Sequence, residues 1–280
     1  MPDRRDHGVG LSSFRQRLHA AWDAHDSALC IGLDPDPARI PPALGSGRAA
    51  ILRFCTEIVD ATADLVCAFK PQVAYFAAVG AERELETLCA HIRDRHAHCV
   101  LILDAKRGDI GDTAEQYARE AFDRYGADAV TVNPYLGTDS IAPFLSRPGR
   151  AAMVLCRTSN AGSGEFQRHG AEPLFLRVAR TAADTWSAMG EVGLVVGATV
   201  PDDLAAVRAT APTLAILVPG VGAQGGDVAS AVQAGRDASG RGLIVTTSRA
   251  VIYADSGAGF AVAARVAATV IRDAIRAART

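Results

Sequence analysis

At 280 residues the chain reaches the upper limit of one hydrophobic core, and it is read as a single domain spanning 1–280 rather than two small ones. Hydrophobic residues at 49% and charged residues at 21% exclude a disordered chain, and 29 Lys+Arg against 31 Asp+Glu leave a net charge of -2. That balance argues against nucleic acid and membrane surfaces as partners, since both call for a basic excess.

The opening MPDRRDHGVG carries charge with no apolar segment behind it, and no apolar run is long enough to span a bilayer, so a cytoplasmic location is expected. A helix is predicted near 11–24, ahead of a first apolar run, ALCIGLD (28–34). Further runs follow at 65–71, 99–106, 129–135, 151–158, 192–199, 213–220 and 242–249. Each is nearly continuous in apolar residues, the pattern of strands buried on both faces of a parallel sheet.

Helical periodicity fills the gaps. Residues 47–63 place Ile51, Phe54, Ile58 and Val59 on one face, and Asp112, with Glu115 three residues on, is read as the cap of a helix over 113–125. Residues 172–189, 201–210, 226–238 and 258–278 read as helices likewise, whereas SNAGSGEFQRHG (159–170) reads as a loop. Eight βα units in one chain predict an α/β fold, a (β/α)₈ TIM barrel with an extra N-terminal helix. A doubly wound sheet fits less well, because the first strand ends in Asp34-Pro35-Asp36 without a glycine-rich turn.

Six scattered cysteines with no C-x-x-C pair argue against structural zinc or a disulfide framework. His91, His96 and His98 in HIRDRHAHC (91–99) precede the third strand, at the end of the barrel away from catalysis, and are read as solvated helix-end residues. Among 29 basic residues only Lys70 and Lys106 are lysine, and both fall at strand ends on the rim where such barrels do chemistry. Unlike guanidinium, an ammonium can give up a proton.

Asp34, Asn133, Arg157, Thr158, Ser159 and Arg249 fall on the same rim. In D-A-K-R-G-D (104–109), alternation points Asp104 and Lys106 to one side, so that the carboxylate holds the ammonium charged. The glycine-rich stretch PGVGAQGGD (219–227) after strand seven and Arg249 after strand eight predict a phosphate pocket.

GLDPD (32–36), FKPQ (69–72), LDAKRGDIGDT (103–113), RTSN (157–160), PGVGAQGGD (219–227) and SRAVIY (248–253) together resemble the orotidine 5'-phosphate decarboxylase family, in its longer bacterial form. The D-x-K-x-x-D element alone marks a wider superfamily; Lys70, Ser159 and the Gln224 loop narrow it. The resemblance implies conversion of orotidine 5'-phosphate to UMP and CO₂ in pyrimidine biosynthesis, without cofactor or metal. It implies that Asp34 and Lys70 hold the ribose, that Lys106, backed by Asp104, protonates C6, and that Ser159 reads the pyrimidine. It implies that Pro219, Gly222, Gln224, Ser248 and Arg249 surround the phosphate. Asp109, Ile110 and Thr113 would reach into a partner's site in a homodimer. Alternatives are a Mg²⁺-dependent sugar-phosphate lyase of the same barrel, a Schiff-base aldolase, or a non-catalytic phosphate binder. Lys70, where such lyases carry an acidic residue, disfavours the first, and a Lys106 kept charged by its carboxylates disfavours the second.

Overall fold

The structure, a computed structural model, describes residues 12–221 and 227–279. Its strands are β1 Leu29–Leu33, β2 Ala68–Pro71, β3 Val100–Arg107, β4 Ala129–Val132, β5 Ala151–Arg157, β6 Glu191–Val196, β7 Ala215–Pro219 and β8 Leu243–Thr247. Each pairs in parallel with the next, and β8 pairs with β1, so the sheet closes on itself in chain order. β1, β4 and β8 are buried at every residue, which accounts for their unbroken apolar runs: one face packs inside the barrel, the other under helices.

Twelve helices cover the outside and the loops among the described residues. In chain order they are α1 Phe14–His25, α2 Gly47–Thr62, α3 Val73–Ala77, α4 Glu82–Arg95, α5 Gly111–Arg119 and α6 Thr138–Leu145. Then come α7 Gly164–Gln167, α8 Leu174–Asp184, α9 Pro201–Thr210, α10 Val228–Gly235, α11 Arg249–Ile252 and α12 Phe260–Arg279. Ile51, Phe54, Ile58 and Val59 of α2 are buried, as their spacing predicted. Helix α6 has no clear signature in sequence because Pro143 lies inside it.

The extra helix α1 lies beneath the barrel. Ser13 and Gln16 form a reciprocal capping box, and the Glu191 carboxylate at the start of β6 accepts the amides of Phe14 and Arg15, each at 2.7 Å. Phe14, Leu18 and Trp22 are buried against the core. Arg208 ties the same end together. Its buried guanidinium donates to the carbonyls of Gly235, Ala211, Pro212, Leu214 and Gly242 at 2.7–3.2 Å.

Three local expectations are corrected. Asp112 does not cap its helix: α5 begins at Gly111, behind Ile110, and Asp112 sits inside the first turn, where its charge faces the positive helix end. The segment after β5 is not merely a loop, since it contains a 3₁₀ turn at Ala161–Ser163 and α7. Solvation of the histidines holds for His98 alone. The His91 and His96 side chains are only 20% and 16% exposed and share Asp60 as partner.

Candidate active site

The C-terminal ends of the strands surround a cavity of about 650 Å³. At its floor stands Asp104, brought beside β2 by a parallel bridge to Gln72. One carboxylate oxygen accepts Lys70 Nζ at 2.8 Å; the other accepts Lys106 Nζ at 2.6 Å and the Thr131 hydroxyl at 2.8 Å. Lys70 and Asp104 are buried, whereas the Lys106 side chain is 48% exposed and reaches the cavity.

Burial opposes charge on Asp104, but the ammonium groups of Lys70 and Lys106 outweigh it and hold the carboxyl well below its ordinary range. Burial likewise opposes charge on Lys70, and Asp104 together with Asp34 outweighs it, so the ammonium is held above its ordinary value.

The presentation of Lys106 depends on more than alternation. The β3–β4 register shifts between Leu103 and Arg107, and Lys106 takes a left-handed backbone with φ of 48°. A non-glycine residue there is strained. Thr131 on β4 offsets this, because its Oγ accepts the amides of Ala105 at 3.0 Å and Lys106 at 2.9 Å while its hydroxyl donates to Asp104. No role for Thr131 was legible in sequence, where it reads as an ordinary β-branched strand residue.

Around this array lie Asp34 after β1, Ser159 after β5, Pro219 at the end of β7 with Gly220 behind it, and Ser248 and Arg249 after β8, all lining the cavity. Asp34 Oδ1 and Ser248 Oγ are buried with no hydrogen-bond partner among the described residues, polar atoms that a bound hydroxyl or anion would satisfy. Gly32 makes that pair possible, since a Cβ there would stand 2.9 Å from Ser248 Cβ. Gly197 does the same for Ser159, whose Cβ would be 2.8 Å from any side chain placed there.

Two further residues shape the rim. The Tyr253 hydroxyl donates to the Asp34 carbonyl at 3.0 Å and accepts the Asp36 amide at 2.5 Å, joining the β1 and β8 loops; burial raises its phenol to about 12. Gln167 clasps Thr158, accepting its amide and donating to its hydroxyl, each at 2.8 Å. The Tyr253 clamp joins residues 219 positions apart, and no spacing reveals it.

Not every predicted residue joins the cavity. Arg157 is buried elsewhere, donating to Asp203 at 2.7 Å and to the Thr158 carbonyl at 2.8 Å, so it braces the β5 loop. Asn133 accepts the Tyr135 amide at 3.0 Å in a turn and does not line the cavity. Asp109, Ile110 and Thr113 are also absent from the lining. Asp109 accepts the Ile110 amide at 2.8 Å, Ile110 is 58% exposed, and Thr113 is exposed. Two carboxylates of this chain therefore line the cavity, Asp34 and Asp104. Gly222 and Gln224 lie outside the described residues.

A closed parallel barrel with a lysine–aspartate–lysine array and an arginine at one mouth defines a class of TIM-barrel enzymes suited to anionic substrates. Residues 27–263 match the family described as Orotidine 5'-phosphate decarboxylase / HUMPS family, and the chain belongs to it. It is 57% identical over 268 residues to an orotidine 5'-phosphate decarboxylase of Azoarcus sp., covering 95% of this chain and 99% of that one. An orotidine 5'-phosphate decarboxylase of Janthinobacterium sp. is 55% identical over 265 residues, with 94% and 98% covered. Among solved structures, the Leishmania donovani OMP decarboxylase superposes with a TM-score of 0.83 at 38% identity, covering 96% of this chain and 99% of that one. A putative orotidine-monophosphate-decarboxylase from Toxoplasma gondii gives a TM-score of 0.86 at 36% identity, with the same coverage.

Proposed function

We propose that this chain, as one barrel domain in the cytoplasm, converts orotidine 5'-phosphate to UMP and CO₂ in pyrimidine biosynthesis. The observation that carries the reading is the Lys70–Asp104–Lys106 array, set in a cavity that Arg249 also lines. The phosphate sits by Arg249, Ser248, Pro219 and the loop bearing Gly222 and Gln224. Asp34 and Lys70 hold the ribose, and Ser159 faces the base.

In the chemical step the C6–carboxylate bond breaks, CO₂ departs, and the electron pair stays on C6 in the ring plane, where it cannot delocalise into the π system. Lys106 attracts that pair and delivers a proton from Nζ. Asp104 aims the ammonium and, with Lys70, fixes charges that need no rearrangement as the reaction proceeds. Asp109 of a second copy comes near the substrate carboxylate in a homodimer, where two like charges ~4 Å apart repel by about 4 kcal/mol at an effective ε of ~20. That repulsion vanishes as CO₂ leaves. The exposed Ile110 and Thr113, outside their own chain's cavity, favour this shared arrangement. A Mg²⁺-dependent lyase is disfavoured because Asp104 is occupied by two ammonium groups and a hydroxyl.

Loss of absorbance from orotidine 5'-phosphate tests the reading, run with and without chelator. Turnover independent of chelator is expected, and a strict divalent-metal requirement would overturn the proposal. Lys106→Ala should lose turnover yet still bind UMP. Mixing it with inactive Asp109→Ala should restore activity through hybrid dimers, and no recovery after verified subunit exchange would exclude a shared site.

A further inference from the structure

At the end of the barrel opposite the cavity, three side chains from two helices converge. Asp60 stands in the last turn of α2, His91 just before the last turn of α4, and His96 is the residue that caps the C-terminal end of α4. Both imidazoles direct Nε2 at the same oxygen, Asp60 Oδ1, each at 2.7 Å. All three candidate ligand atoms lie within 4.8 Å of one another. We infer that Asp60, His91 and His96 form a binding site for a divalent transition ion of the Zn²⁺ type, clamping α2 to α4.

The donor set suits such an ion. Neutral imidazole with one carboxylate is borderline in softness, the combination that takes Zn²⁺, Co²⁺ or Ni²⁺ in preference to Mg²⁺. Four residues separate His91 from His96, within the histidine spacing of zinc sites. Metal bonds of about 2.0–2.2 Å in a tetrahedron put ligand atoms about 3.3 Å apart, so the two imidazole nitrogens, now within 4.8 Å of each other, settle at that spacing while the carboxylate retreats by about 0.6 Å from each. Asp60 can do so, being 49% exposed, and the same opening admits the ion and a water as fourth ligand.

A neighbouring group, His25, His98 and Cys99, is the competitor. Its thiol is buried, donates to the Ala63 carbonyl at 3.3 Å, and is pushed up to about 12 by burial, so the thiolate a metal needs is costly there. Both groups lie at the end of the barrel where side chains act on stability rather than on chemistry, so the ion would brace the fold and leave turnover unchanged.

The test titrates the full chain, first stripped with chelator, with ZnCl₂ in a calorimeter. One ion per chain in the micromolar range is expected, without competition from Mg²⁺. The double variant His91→Gln/His96→Gln should weaken binding by more than about tenfold while retaining the wild-type circular dichroism spectrum and turnover. Asp60→Asn, the milder change, should weaken it in the same direction. Substituting Co²⁺ should give visible bands of a four- or five-coordinate ion with no thiolate-to-metal band. Absence of Zn²⁺ uptake, uptake unchanged in the double variant, or a thiolate band that disappears in His98→Gln would each overturn the assignment.

Discussion

Replacing Thr131 by Val keeps the shape of the side chain and removes one oxygen that makes three hydrogen bonds, to the amides of Ala105 and Lys106 and to Asp104. An amide left without an acceptor costs about 1–3 kcal/mol, and both amides are only partly buried, so about 2–3 kcal/mol of stability should be lost in all. The larger effect is on rate. Lys106 holds its left-handed φ of 48° against strain of about 1–3 kcal/mol, and without the Thr131 oxygen its backbone can relax. A displacement of about 1 Å at the ammonium is enough to lower kcat by about 10²-fold. Urea unfolding at fixed chain concentration reads the first effect, and absorbance of orotidine 5'-phosphate the second. Thr131→Ser, which keeps the oxygen, should stay within about tenfold of wild type in kcat. A Val variant within about twofold of wild-type turnover would refute the positioning role of Thr131.

Asp104→Asn should remove a pH-dependent share of stability. Because the Asp104 carboxyl is held below its ordinary 3.8, its contribution is complete above that value and is lost as pH falls, by about 1 kcal/mol between pH 7 and pH 3. Lys70, held above its ordinary 10.5, contributes fully below that value and loses its share as pH rises beyond it. The stability difference between wild type and Asp104→Asn, from urea midpoints, should be flat between these limits and shrink outside them; a constant difference at acid pH would contradict the coupling. Arg208→Met should cost about 3–5 kcal/mol in urea unfolding, because it strips a buried donor from five carbonyls. Burial lowers the guanidinium to about 10, but a loss below about 1 kcal/mol would show that water replaces it freely.

The periodic and compositional features belong to the sequence itself. Unbroken apolar runs require strands buried on two faces, eight of them with helices between close into a barrel, and the two lysines fall at strand ends. Strand position put Asp34, Ser159 and Arg249 on the rim, resemblance added their expected roles, and all three line the cavity. What local pattern could not decide were contacts made across the barrel. Thr131 reaching Asp104, Tyr253 bridging to Asp34, and Arg157 turning away toward Asp203 join residues at least 27 positions apart. Each depends on strand register and on the bulge in β3, which arise only when the sheet closes. The meeting of Asp60 with His91 and His96 is of the same kind: Asp60 belongs to α2 and both histidines to the end of α4, and the packing of α2 beside α4 brings them to one point.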